Sequence, residues 1–186
     1  MIIGNTLFDR ISRNIGYIIR ICIMKIRLNK KLYFVKFIKI SKGTKFRIDG
    51  NIHFAGTVHT SEGDFFSVTE NAVLTIGDNV YFNRNIHIAT HDSINIGDNC
   101  IFGPGVLIFD HDHRIVNGLV QMDEFTCSSI TIGKRCWIGA GVIILRGSQI
   151  GEGSIIGAGT IVKGVIPPHA IVLSENKLII QSIQPK

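Results

Sequence analysis

Two histidines and two carboxylates alternate in the run Phe109-Asp110-His111-Asp112-His113. An imidazole titrates near neutrality, so it can take a proton from a weak nucleophile and hand it on to a leaving group. A carboxylate beside it orients the ring. Asp92, Asp110 and Asp112 are all candidates for that partner, and spacing does not choose among them. Trp137, the only tryptophan, follows His113 by 24 residues in the run Ile132-Gly133-Lys134-Arg135-Cys136-Trp137-Ile138-Gly139-Ala140-Gly141. Asn83 precedes His113 by 30 residues. Each residue also has a plain structural use: a solvated turn histidine, a turn asparagine, a tryptophan in the core or at a subunit contact.

The elements that must position these residues repeat. A bulky apolar residue returns at every sixth position: Ile76, Phe82, Ile88; Ile96, Phe102, Ile108; then Ile132, Ile138, Ile144, Ile150, Ile156 and Val162. Ile52 and Val58 open the series in a weaker form. The next position is often small or polar, as at Gly77, Asn83, Gly97, Gly133 and Gly157. Neither a helix nor a single strand has period six. A prism does, with short strands along its faces, tight turns at its corners and bulky residues pointing inward. Glycine after the bulky residue is expected to ease the corner backbone. Two residues are inserted between Ile88 and Ile96, and about twenty between Ile108 and Ile132. A loop that long inside a compact repeat is usually functional or disordered.

The chain has 186 residues and a net charge of +6, unevenly spread. Residues 1–48 carry 12 of the 20 Lys and Arg and a single acid, Asp9, for +11; residues 49–186 carry −5. An even basic face suited to nucleic acid is absent. No apolar run is long enough for an ordinary membrane-spanning helix, and the opening residues do not read as a secretory signal. Cys22, Cys100, Cys127 and Cys136 contain no C-x-x-C pair and read as free thiols, used mainly as small buried hydrophobes. Phe8, Ile11, Ile15, Ile18, Cys22 and Ile26 recur at helical spacing, with basic residues between them. That predicts an amphipathic helix whose apolar stripe rests on protein or lies flat on an anionic bilayer. Residues 30–48 are expected to form a strand or short helix leading into the main domain.

The hexad series over roughly residues 52–180 resembles the hexapeptide-repeat acyltransferases. The spacing from histidine through loop to tryptophan is similar to their maltose/galactoside O-acetyltransferase branch and the related capsule and sialic-acid O-acetyltransferases. The resemblance implies an all-β main domain, a left-handed parallel β-helix, with an N-terminal amphipathic helical segment and one long protruding loop. It implies acetyl-CoA as co-substrate, no metal, and transfer to a hydroxyl of a sugar or surface polysaccharide. His113 would be the general base, and the hydroxyl would attack the thioester directly. Asn83, His111 and Asp112 would meet the acceptor. Trp137 would pack on the acetyl or pantetheine end, and backbone N–H groups of Gly139-Ala140-Gly141 would face the oxyanion. The run from Gly151 to Lys163, with Gly157 and Ala158, resembles the coenzyme A end, where Lys163 and Lys177 would meet nucleotide phosphates. Two departures occur there. Leu173-Ser174-Glu175-Asn176-Lys177 replaces the usual Gly-Asn-Pro-Ala-Arg, and Lys163-Gly164 replaces Thr-Lys.

The expected organisation is a basic segment 1–48, a β-helix domain 49–180 carrying the inserted loop 110–129, and a tail 181–186. A homotrimer with sites between subunits is expected, located in the cytoplasm, with peripheral contact at the inner face of the membrane through residues 1–48. Three other readings compete: an N-acetyltransferase on an amino sugar nucleotide, a non-catalytic trimeric scaffold, and a zinc lyase of the γ-class carbonic anhydrase kind using His87, His91, His111 and His113.

Overall fold

The structure is a computed structural model that describes residues 7–28, 31–34 and 38–174, with side chains from residue 14 onward. Short strands make three faces of a prism. The first face stacks seven: Leu32–Phe34, Asn51–Phe54, Val73–Ile76, Ser93–Ile96, Ile130–Ile132, Gln149–Ile150 and Val165–Ile166. The second stacks Val58–His59, Val80–Phe82, Ile101–Phe102, Trp137–Ile138, Ile155–Ile156 and Ile171–Val172. The third stacks Lys45–Ile48, Phe65–Val68, His87–Thr90, Leu107–Phe109, Ile143–Leu145 and Ile161–Val162. The chain visits the faces in the order first, second, third, and all of these pairings are parallel.

Hexad residues meet their own kind one coil away. Ile76 is in register with Ile96, Ile96 with Ile132, and Ile132 with Ile150. All are buried, so the core is a column rather than a sphere. Phe46, Phe66, Phe82 and Phe102 form an aromatic spine within it, with successive ring centroids 5.1, 5.4 and 4.9 Å apart. Truncating Phe102 leaves a cavity between Phe82 and Ile138 that flat strands cannot collapse to fill. Phe102→Ala is therefore expected to cost about 3–5 kcal/mol, read from urea unfolding. A loss under about 1 kcal/mol would mean that the spine carries little of the stability.

The glycines after the bulky residues serve close approach, not the corner conformation expected of them. A Cβ at Gly133 would lie 2.5 Å from the backbone nitrogen of Glu152, and one at Gly139 would lie 2.6 Å from that of Ala158. The left-handed residue of seven of these corners sits two positions later, at Asn79, Asn85, Asn99, Arg135, Gly141, Gly153 and Gly159. Asparagine tolerates that region better than other side chains.

Strand pairing begins at Leu32, where Leu32–Phe34 pairs with Ile52–Phe54. The first coil thus includes residues 31–34 and 38–48. The helix Leu7–Leu28 precedes it. Ile21 is buried with Leu32, Ile38 and Ile40, and Met24 and Leu28 pack on the same cluster. The packed side is not the expected stripe: Ile15, Ile18, Cys22 and Ile26 are exposed. Cys100 and Cys136 are buried in the column, whereas Cys127, like Cys22, is exposed.

Candidate active site

The insertion after Ile108 is an antiparallel hairpin, His111–Val116 with Leu119–Cys127. Asn117 and Gly118 at its tip both have positive φ, 52° and 78°, as a two-residue turn of the I′ type requires. The hairpin leaves the prism where the third face turns into the first. Asp110 sits at its base, fully buried. Its two oxygens accept the backbone N–H groups of His91 and Asp92, each at 2.8 Å. The two residues inserted before Ile96 thus make a wider corner that wraps this carboxylate. Oδ1 also lies 3.1 Å from Nδ1 of His111. A carboxylate there fixes the proton on Nδ1 and leaves Nε2 as the basic nitrogen.

His113 is oriented differently. Its Nδ1 lies 3.0 Å from the carbonyl oxygen of Gln121 on the facing strand. A carbonyl can only accept, so Nδ1 carries the proton and Nε2 keeps its lone pair. That is the tautomer a general base needs. His113 is exposed and faces Phe125 across the hairpin, with ring centroids 4.8 Å apart. Phe125 also meets His91 and His111 edge-on, at 4.3 and 5.3 Å. His91 and His111 stack at 3.6 Å. Burial, then the neighbouring His111, pushes the pKa of His91 down, which disfavours two charged rings in one stack. Asp112 does not orient a histidine; it forms an ion pair with Arg146, which ties the hairpin base to the next coil. His87 lies between Phe65 and Phe109. The rival zinc arrangement therefore does not assemble: among the described residues no three side chains are grouped to hold a metal ion.

A separate groove of about 580 Å³ runs along the second face and its corner with the third. Asn83, Trp137, Gly139, Ala140, Gly157 and Ala158 all line it, beside Tyr81 and Ile101. Trp137 is 55% exposed, so it is a wall of the groove and not core. The N–H groups of Gly139 and Gly141 are already used, donating to Ile156 and Pro104 at 2.8 and 2.9 Å. Among the described residues Ala140 keeps the one uncommitted N–H of that stretch. The Asn83 side chain caps its own corner by accepting the N–H of Arg84 at 2.8 Å. It also borders a second, polar groove of about 620 Å³ with His59, Ser61, Glu62 and Arg84.

The expected site residues thus fall into two sets. His111, Asp112 and His113 stand on the hairpin, and among the described residues no histidine or carboxylate lines the Trp137 groove. Lys163 is exposed and follows the third-face strand Ile161–Val162, so it shares the hairpin's corner and not the groove. Lys177 and the tail lie outside the described residues. Arg146 and Phe125 were missed by sequence reasoning, and His91 was considered there only as a zinc ligand, not as a ring stacked on His111. Arg146 had only an indirect signal: its neighbour Leu145 stands where other hexads place glycine.

Residues 129–164 match the family model for the bacterial transferase hexapeptide (six repeats). Over 144 residues the chain is 31% identical to WbbJ of Escherichia coli K12, assigned as a lipopolysaccharide-biosynthesis O-acetyl transferase, covering 73% of this chain and 74% of that one. The chain belongs to the hexapeptide-repeat acyltransferases. It is an acyltransferase of that family. This acyltransferase is also 35% identical over 119 residues to the galactoside O-acetyltransferase of the same organism, covering 64% of this chain and 58% of that one. The match thus spans about three quarters of the first relative and under two thirds of the second. Among solved structures, an N-acyltransferase from Bacillus cereus in complex with dTDP and coenzyme A has a TM-score of 0.64 at 18% identity, with 82% of each chain covered. A hexapeptide-repeat acetyltransferase of Vibrio cholerae complexed with acetyl coenzyme A has a TM-score of 0.52 at 20% identity, covering 90% of this chain and 85% of that one. At those identities the likeness is one of fold. Among the described residues, no helix is long and apolar enough to cross a membrane.

Proposed function

We propose that this acyltransferase moves an acetyl group from acetyl-CoA to a sugar hydroxyl, on a monomer or on a surface glycan. The observation that carries the reading is the gathering of Asn83, Trp137, Gly139, Ala140, Gly157 and Ala158 along one largely apolar groove. A pantetheine arm is a narrow, mostly apolar chain, and a strip floored by glycines and alanines lets it lie close to backbone. The polar groove that meets it at Asn83 suits a hydroxylated acceptor.

In the mechanism, Nε2 of His113 removes the acceptor proton as the oxygen attacks the thioester carbonyl. The N–H of Ala140 donates to the developing oxyanion. The intermediate collapses with loss of the coenzyme A thiolate, and the imidazolium returns its proton to that sulfur. No covalent enzyme intermediate forms. His111, held by Asp110, and Asp112, held by Arg146, bound the acceptor side. Lys163 and Lys177 are the candidates for the nucleotide phosphates.

Base and groove stand at different corners of one chain, so the reaction requires the hairpin of one copy to reach the groove of the next. We therefore assign a homotrimer. Exposed Ile115, Leu119, Val120 and Met122 on the hairpin, and exposed Tyr81, Ile101 and Trp137 on the second face, are the surfaces that such a contact would cover. The proposed acetyl-CoA donor supports a cytoplasmic location.

A second reading, an amine of a sugar nucleotide as acceptor, is supported by the dTDP-bound N-acyltransferase structures that share the fold. Only the acceptor atom differs, and both use the same base and groove. Thiol release from acetyl-CoA, measured across sugars, capsular oligosaccharides and amino sugar nucleotides, separates them. Turnover on hydroxyl acceptors is the expected result. Turnover confined to amines would move the activity to N-acylation. No turnover and no coenzyme A binding by calorimetry would overturn both.

A further inference from the structure

The N-terminal helix is apolar on two opposite sides. Ile21, Met24 and Leu28 pack on the prism. On the other side Ile15, Ile18, Ile19, Ile23 and Ile26 are between 45% and 81% exposed, with Cys22 exposed among them. A second apolar side on a helix already packed by its first is one that something else covers. Its flanks are cationic. At 100° per residue, Lys25 borders the outer face on one edge and Arg20 and Arg27 on the other. Lys25 leans over the Phe34 ring at 5.1 Å, and Arg20 donates to the carbonyl of Ile40 at 2.6 Å. Both arginines and Lys45 also line a groove of about 560 Å³ between the helix and Phe46 and Phe65, and among the described residues no carboxylate lines it.

We propose that this outer face lies in the headgroup region of an anionic bilayer and docks the enzyme on a membrane surface. Charge selects that occupant. Residues 1–28, which include the helix, carry five Lys and Arg and a single acid, Asp9, for +4. Covering the face with the same face of a second copy would set +4 against +4. An anionic lipid surface supplies the opposite charge, and apolar side chains rimmed by cations match its depth profile. The groove gives headgroup phosphates a place beside Arg20, Arg27 and Lys45.

The test is cosedimentation of the full chain with phosphatidylcholine vesicles, with and without phosphatidylglycerol. Binding should require phosphatidylglycerol and weaken as salt rises. The double variant Ile19→Ser and Ile26→Ser should bind at least about tenfold more weakly, with its thermal midpoint and its mass by light scattering unchanged, because both residues face solvent. Absence of phosphatidylglycerol-dependent binding by the parent would overturn the proposal, as would equal binding by the variant. A fall in the variant's mass would overturn it too, assigning the face to a sister copy. Thiol release without vesicles reports on catalysis separately, so loss of docking and loss of the acyl-transfer reading are distinguishable.

Discussion

His113→Ala lowers kcat by about 10²–10⁴-fold, the range expected when a positioned general base is removed. The KM for acetyl-CoA stays near that of the parent, because among the described residues no histidine lines the groove that would hold the donor. The thermal midpoint also stays, since the side chain is exposed on the hairpin and its one recorded hydrogen bond goes to the Gln121 carbonyl. The comparison that gives the result meaning is His111→Ala. If His113 is the base, its removal costs far more than removal of His111. If the order reverses, the carboxylate-held imidazole of His111 is the base, and His113 shapes the hairpin. Steady-state rates at saturating acetyl-CoA decide between them. Mixing His113→Ala with a groove variant such as Ala140→Trp adds a second readout. Subunits exchanged between two inactive trimers should regain activity if base and groove come from different copies. Two inactive parents that stay inactive after verified exchange would count against a shared site.

Asp110→Ala is the second large effect, and it falls first on stability. The carboxylate is fully buried and accepts the N–H groups of His91 and Asp92. Alanine takes the partner from both part-buried donors, at about 1–3 kcal/mol each. A loss of about 2–5 kcal/mol in urea unfolding follows. The base of the hairpin loosens with it, because the same carboxylate holds His111. Asp110→Asn should fall between the parent and alanine: it keeps one acceptor oxygen but turns an NH₂ group toward a second N–H donor. A loss under about 1 kcal/mol for alanine would mean that this corner is held by the strands alone. Activity in Asp110→Asn then reads the positioning role. A shifted pH profile with stability retained would mark His111 as part of proton transfer.

The glycines and the hairpin illustrate how sequence signals can be read for the wrong reason. The hexad glycines were legible, but as corner conformers. Their use is to let one coil's backbone approach the next, which depends on the axial spacing of coils and not on the local turn. The Asn117-Gly118 pair was a clear hairpin signal in a segment otherwise read as a loop. The helix was legible from its period, yet its packed side was not. With apolar residues on two sides, period alone does not say which side meets the prism; the shape of the exposed first coil does.

By itself the sequence determined the prism, because a six-residue period with bulky residues inside leaves no other packing. It also determined the chemistry on offer: the alternating histidines and aspartates and the Trp137 run stand in unbroken local segments. Tertiary structure decided where these parts lie. Asp110 became the partner of His111 because a widened corner some twenty residues upstream wraps it, and Asp112 went to Arg146 instead. Imidazoles and groove were set at separate corners of the chain. That separation follows from how many residues each coil spends in turning, which side-chain chemistry does not encode and only the folded register fixes.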